Sequence, residues 1–262
     1  MLAYILVCLV ALIVAALTLF SGFGLGTLLM PAFAVFFPVT VAVAATAVVH
    51  LANNLFKVVL IGRHADWPVV GRFAIPAAAA AMVGAWLLGL FAGIPPLLVY
   101  QLGEGAHEVT AVKLVIGVII VFFALFDLSP RLGKISFDRK YLSLGGALSG
   151  FFGGLSGNQG ALRSAFLLKA GLEKEAFIGT GVVSAVIVDV ARLLVYGLVF
   201  YTASFATLPS DVTGLVIAAT AAAFVGSYAG RRLLRKVTLR TVQLIVGVML
   251  VLLGIGLAAG LL

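Results

Sequence analysis

The sequence predicts an all-α polytopic membrane protein made of two inverted-topology repeats, each with a helix–break–helix hairpin and three spanning helices. Composition sets the class. Of the 262 residues 63% are hydrophobic and 10% charged, too little polar surface for a water-soluble domain. Two Gly-rich breaks, Ser21-Gly22-Phe23-Gly24-Leu25-Gly26 and Gly153-Gly154-Leu155-Ser156-Gly157-Asn158-Gln159-Gly160, interrupt apolar stretches at matching places in the two halves. Unwound backbone survives in hydrocarbon only where protein buries it or a polar cavity receives it, and paired interrupted segments point to a transporter's binding site.

Apolar stretches long enough to span, about 20 residues each, run near 2–20, 40–61, 72–92, 111–127, 141–157, 176–200, 212–229 and 239–261. The pieces at 25–37 and 160–170 that follow the breaks are too short to cross and are expected to be half-helices. The first stretch has no basic region ahead of it and runs straight into a break, which argues against a cleaved signal peptide. Residues 1–128 form the first repeat, 129–140 a linker and 141–262 the second repeat.

Four ordered matches define the duplication. Gly26-Thr27-Leu28 answers Gly160-Ala161-Leu162, and Asn54-x-x-Lys57 with Gly62 answers Asp189-x-x-Arg192 with Gly197. Ala81 to Trp86 answers Ala223 to Tyr228, and Val112 to Val118 answers Val242 to Val248. Charge then sets the relative orientation of the copies. The loop at 62–72 carries Arg63 and Arg72, while its counterpart at 201–211 has no Lys or Arg and ends in Asp211. The loop at 93–110 carries Glu104 and Glu108, while its counterpart carries Arg231, Arg232, Arg235, Lys236 and Arg240. Equivalent loops therefore fall on opposite sides of the bilayer. The linker, with Arg131, Lys134, Arg139 and Lys140, is expected in the cytoplasm, and both chain ends outside. Three spans plus a hairpin that enters and returns give the odd parity an inverted repeat needs; five crossings would give it too.

The formal net charge of +8 resides in these loops as a topology signal and not as a nucleic-acid footprint. The single cysteine, Cys8, excludes an intrachain disulfide, and no metal-ligand spacing, nucleophile motif, P-loop or cofactor motif is present.

Half-helices beginning near Gly26 and Gly160 would turn free N–H groups and positive dipole ends toward the membrane centre, favouring an anion. Candidate substrate contacts are Gly24, Gly26 and Thr27 at the first break, and Ser156, Gly157, Asn158, Gln159, Gly160, Arg163 and Ser164 at the second. Arg163 sits about one turn into an apolar half-helix, where a charge by default marks function, and its fork suits an oxyanion. The structural alternative is an ion pair with Asp189. His50, Asn53, Asn54, Lys57, Asp189 and Arg192 are candidates for cavity lining or coupling. Plainer roles compete: Lys57 near Gly62 and Arg192 snorkelling to opposite interfaces, and His50 as an ordinary interhelical hydrogen-bonding residue. Pro31 and Pro76 are expected at kinks, and Trp67, Tyr100 and Tyr201 at interfaces.

At both breaks the chain resembles the TauE/SafE sulfite exporter family of small duplicated bacterial transporters. Ser21 to Pro31 resembles the first family motif, with its glycines thinned to Gly24 and Gly26. Gly150 to Arg163 resembles the second, with Asn158 and Gln159 at positions of small residues and Ala165 in place of Pro. The resemblance implies export of sulfite or an organosulfonate. The resulting expectation is a multi-pass inner-membrane secondary transporter, not an enzyme, moving a small anion by alternating access without a cofactor. An anion channel, or a membrane-embedded scaffold for an enzyme complex, is the alternative. The expected partners are the anion and the lipid bilayer, and a homo-oligomer is left open.

Overall fold

Helix-forming apolar runs end where a residue caps or unwinds them, and these ends fix the architecture. The computed structural model describes residues 1–18, 25–103, 105–129, 135–200, 211–233 and 239–262. The helices are α1 (Leu2–Thr18), α2 (Leu25–Ala34), α3 (Val39–Ile61), α4 (Trp67–Ala92), α5 (Ala111–Leu128), α6 (Leu142–Ser156), α7 (Gly160–Leu167), α8 (Lys174–Phe200), α9 (Asp211–Leu233) and α10 (Leu239–Ala258). The side chain of Asp66 accepts from the Val69 N–H at 3.0 Å, and Pro68 suits the first turn of α4. Thr110 caps α5 in the same way, through the Lys113 N–H. Among the described residues four helices are long and apolar enough to cross a membrane, spanning Val39–His64, Trp67–Ala92, Lys174–Leu198 and Val212–Gly230, with shorter apolar helices beside them.

Two expectations change. The loop at 93–110 contains an antiparallel hairpin of β1 (Leu98–Leu102) and β2 (Gly105–Val109), a small addition to a chain whose described residues are otherwise mostly helical and consistent with the all-α class. Val99, Tyr100 and Val109 favour the extended backbone, and Gly103 supplies φ +63° at the turn. The second break is also tighter than its glycines suggest. Gly153 to Ser156 remain helical, and only 157–159 separate α6 from α7. Of the first break, Ser21 to Gly24 lie outside the described residues, as do Glu104, Arg131, Lys134, Tyr201, Arg235 and Lys236.

Glycines set the closest helix contacts. On α6, Gly146, Gly150 and Gly154 back onto the carbonyl oxygens of Phe73, Ala77 and Ala81 on α4, and any side chain there would enter that backbone. Their numbers rise together, so the two helices run parallel. Gly226 and Gly230 of α9 likewise sit on the carbonyls of Leu12 and Ala16, making α1 and α9 parallel. By contrast α3 and α8 are antiparallel, since Gly179 abuts Ile61 while Asp189 meets His50. So are α5 and α10, where Gly247 meets Leu128 and Gly254 meets Val121. Small residues permit this close van der Waals packing in a solvent as apolar as the side chains.

Leu29, Phe33, Val43, Leu88, Ile116, Ile120 and Tyr196 belong to the main core. Ile75, Val83, Trp86, Leu194, Leu198 and Leu252 project outward, an apolar exterior suited to hydrocarbon. One end of the bundle gathers the basic chain segments. Ser143 bonds the Arg72 carbonyl at 3.1 Å, Phe137 N–H bonds Ala165 O at 3.2 Å, and Gly179 abuts the turn bearing Arg63. The other end holds the hairpin and the C-terminus, where Tyr100 donates to Ala259 O at 2.7 Å.

Candidate functional site

Helical spacing gathers polar groups on one face of α8. Asp189, Arg192 and Tyr196 follow at i, i+3 and i+7, one stripe of a helix. Arg192 donates through Nε and Nη2 to Asp189 Oδ1 at 3.0 and 2.7 Å, and through Nη1 to the Gly153 carbonyl at 3.0 Å. Tyr196 donates to the neighbouring Gly154 carbonyl. These bonds tie α8 to the last turn of α6, just before the break. Arg192 and Asp189 are both 0% exposed, so Arg192 does not snorkel. A carboxylate one turn away gives its guanidinium a closer partner than the interface.

The facing stripe on α3 is His50, Asn54 and Lys57. His50 Nδ1 lies 2.6 Å from Asp189 Oδ2, and Asn54 Nδ2 reaches the same oxygen at 3.3 Å. Asn53 points elsewhere, its side-chain carbonyl accepting from Ser227 of α9 at 2.8 Å. Lys57 is only 7% exposed; proximity to Gly62 does not carry its ammonium out of the protein.

The second break spends much of its polarity on its own shape. Gly157 ends α6 at φ +82°, a conformation glycine adopts without a Cβ penalty. Ser156 donates back to Phe152 O at 2.9 Å, and Asn158 Nδ2 donates to Ser156 Oγ at 3.3 Å. Ser149 holds the Gln159 carbonyl at 2.8 Å, while Gln159 Nε2 donates to Asp189 Oδ1 at 3.1 Å. Asn158 Oδ1 is buried without a hydrogen-bond partner among the described residues.

The two break regions meet. A Cβ on Gly26, at the start of α2, would stand 3.2 Å from the Gly157 carbonyl oxygen and 3.6 Å from the His50 ring. Gly26, His50, Asn54, Gly157, Gln159, Asp189 and Arg192 therefore form one constellation. Arg163 of α7, 6% exposed, extends its Nε toward Gly181 of α8. The expected alternative of an Arg163–Asp189 ion pair is replaced by the pair with Arg192, because both Asp189 oxygens are already engaged by Arg192, Gln159, His50 and Asn54. Thr27, Ser156 and Gly160 are buried beside the constellation's backbone, Ser164 is half-buried, and Gly24 lies outside the described residues.

Buried cations outnumber buried carboxylates among the described residues. Among the described residues the buried charged side chains are Lys57, Arg163, Arg192 and one carboxylate, Asp189. No group of three or more His, Cys, Asp or Glu among them could hold a metal ion. Three contributors escaped the sequence reading: Tyr196, Ser149 and Ser227. Tyr196 was accessible from its i+4 spacing to Arg192, whereas Ser149 reaches across the break to Gln159 and Ser227 across the whole chain to Asn53, pairings that helical periodicity does not signal.

The family model for the sulfite exporter TauE/SafE matches residues 7–257, both breaks and nearly all of the chain. The chain belongs to the TauE/SafE family. No curated protein and no solved structure matches it significantly. TauE/SafE membership implies a membrane transporter of sulfite or a related anion, in keeping with the four long apolar helices.

Proposed function

We propose that the protein is a secondary transporter that carries a small sulfur-containing anion, sulfite or an organosulfonate, across the cytoplasmic membrane by alternating access. The observation that carries this reading is the buried excess of positive charge. Among the described residues the buried cations Lys57, Arg163 and Arg192 outnumber the one buried carboxylate, Asp189, inside an apolar bundle. Ionisable side chains inside a bundle mark a functional site by default, and a cluster richer in cations than in carboxylates favours an anionic ligand. Arg163 is the proposed principal ligand for the oxyanion, assisted by Lys57, Asn158 and the backbone at Gly26, Thr27, Gly157 and Gly160. Ser156, Gln159, Asn54, Asp189 and Arg192 hold the site's frame.

The packing supports two inverted repeats, 1–128 and 141–262 joined by 129–140. Exchanging α1–α5 for α6–α10 turns the parallel pair α1/α9 into the parallel pair α6/α4 and returns the pairs α3/α8 and α5/α10 to themselves. Those self-paired helices are antiparallel, as a two-fold axis in the membrane plane requires. Gly84 and Gly226, equivalent in the sequence repeat, each rest on a backbone carbonyl of the opposite half's first helix, at Phe151 and Leu12. The contact of Gly26 with Gly157 is what two hairpins entering from opposite faces would make at mid-depth. The bundle end that bears Arg63, Arg72, Arg139, Lys140, Lys169 and Lys174 is then cytoplasmic.

Purified protein in liposomes should show saturable counterflow of [35S]sulfite or [14C]sulfoacetate. Non-saturating electrical conductance would identify a channel, and neither activity would identify a scaffold.

A further inference from the structure

We propose that His50, seated on Asp189, is the proton site of the carrier, so that each bound anion brings one proton onto the imidazole and the two cross together. This rests on the anion-transport reading above. Asp189 has no exposed surface, and its Oδ1 is occupied by Arg192 and Gln159. Its Oδ2 lies 2.6 Å from His50 Nδ1. With the carboxylate ionised, Nδ1 carries the hydrogen of that bond, and Nε2, 3.4 Å from Asn54 Nδ2, is the nitrogen left to accept a second proton. Nε2 faces the first break, 3.9 Å from where a Cβ on Gly26 would stand. The pair also joins α3 to α8, one helix from each half of the chain, at the level where the break regions touch.

The surrounding charges couple this proton to the anion. Among the described residues burial itself opposes the imidazolium, the Asp189 carboxylate in contact with the ring favours it, and the buried cations Arg192, bonded to that carboxylate, and Arg163 of α7 oppose it by charge. Lys57, two turns along α3, is the remaining buried cation; α2 contributes Gly26 and no charge to this contact. An anion held by Arg163 cancels one of the opposing charges and so favours protonation of His50. By linkage the same free energy tightens anion binding when His50 is protonated. The proton moves from water to Nε2 as the anion binds and returns to water on the far side with its release.

Proteoliposomes separate this claim from the transport reading. At equal pH on both sides, wild-type protein should exchange [35S]sulfite or [14C]sulfoacetate; exchange of neither removes the transport reading and the coupling with it. With acid outside and the membrane potential clamped at zero by equal potassium on both sides and valinomycin, wild-type protein should accumulate sulfoacetate, approaching about tenfold for a gradient of about one pH unit at one proton per anion. His50→Gln retains an amide that can donate to Asp189 but has no titrating nitrogen. It should exchange at a reduced rate and show no accumulation driven by the pH gradient. Wild-type exchange that ignores the gradient, or accumulation by His50→Gln, overturns the proposal. A variant that fails to fold leaves the wild-type calorimetry decisive. Sulfoacetate binding measured in buffers of different ionisation enthalpy should take up about one proton per anion where histidine titrates, and zero uptake overturns the proposal.

Discussion

Gly26 and Gly157 touch backbone to backbone, from opposite halves of the chain. The 3.2 Å between a Cβ at 26 and the Gly157 carbonyl is tighter than ordinary packing, and the His50 ring closes the other side at 3.6 Å. Alanine at 26 needs a shift of a few tenths of an ångström, whereas the branched end of leucine has no room. Gly26→Ala should therefore retain partial transport, and Gly26→Leu should lose it while much of the protein still folds. Counterflow normalised to the monodisperse peak in gel filtration checks this. Wild-type rates in Gly26→Leu at equal abundance would remove the contact from the mechanism.

Asp189 holds four partners, so its loss and that of Arg192 are unequal. Asp189→Asn strands the Arg192 guanidinium in the interior and should destabilise by about 3–5 kcal/mol, the usual cost of breaking a buried pair from one side. Arg192→Met leaves Asp189 with His50, Gln159 and Asn54, and should cost less. Combining the two removes both charges and should recover part of the loss. Unfolding of purified protein in detergent gives the ranking, and additive losses in the double variant would contradict it.

Much of this was legible in the sequence because the bilayer restricts the options. Spanning helices must be long and apolar, so Val39–Ile61 and Trp67–Ala92 announce themselves, and Gly157 marks a real helix end. Polar residues inside spans are rare enough that His50, Asn54, Asp189 and Arg192 could be selected without a structure, and the fold brings them together. Their partners could not be selected. Asp189 takes Arg192 over Arg163 because of a one-turn spacing on α8 and the register of α3 against it, which single-chain pattern does not specify. The glycines at 153 and 154 read as part of a break for a similar reason: composition cannot distinguish a glycine that unwinds a helix from one that lets a neighbour approach it, Gln159 and Val188 at Gly153 and α4 at Gly154.

The proposed orientation predicts a simple labelling pattern. In a Cys8→Ala background, a cysteine at Glu108 in the hairpin should react with an impermeant maleimide from outside intact cells. Cysteines at Arg63 and Lys174 should react only after permeabilisation. Labelling of all three from outside, or of Lys174 together with Glu108, would reverse or break the inverted arrangement.

Arg163 decides the ligand assignment. It lies in α7 beside Gly181, and Asp189 is satisfied without it, so its replacement should spare the frame that Asp189 and Arg192 maintain. Arg163→Lys keeps the charge and loses the planar fork, and Arg163→Met loses both. If the guanidinium holds the oxyanion, removing that charge-assisted hydrogen bonding should weaken binding by on the order of 1.5–3 kcal/mol, or about ten- to a hundred-fold. Lysine should fall between wild type and methionine, because the point charge remains but bidentate geometry does not. Thermal stability without ligand should change little in either variant, while stabilisation by added sulfite or sulfoacetate should be lost in the same order. The opposite pattern, a large loss of ligand-free stability with unchanged ligand-dependent stabilisation, would make Arg163 a packing residue and shift the anion to Lys57, Asn158 and the backbone between Gly26 and Gly157.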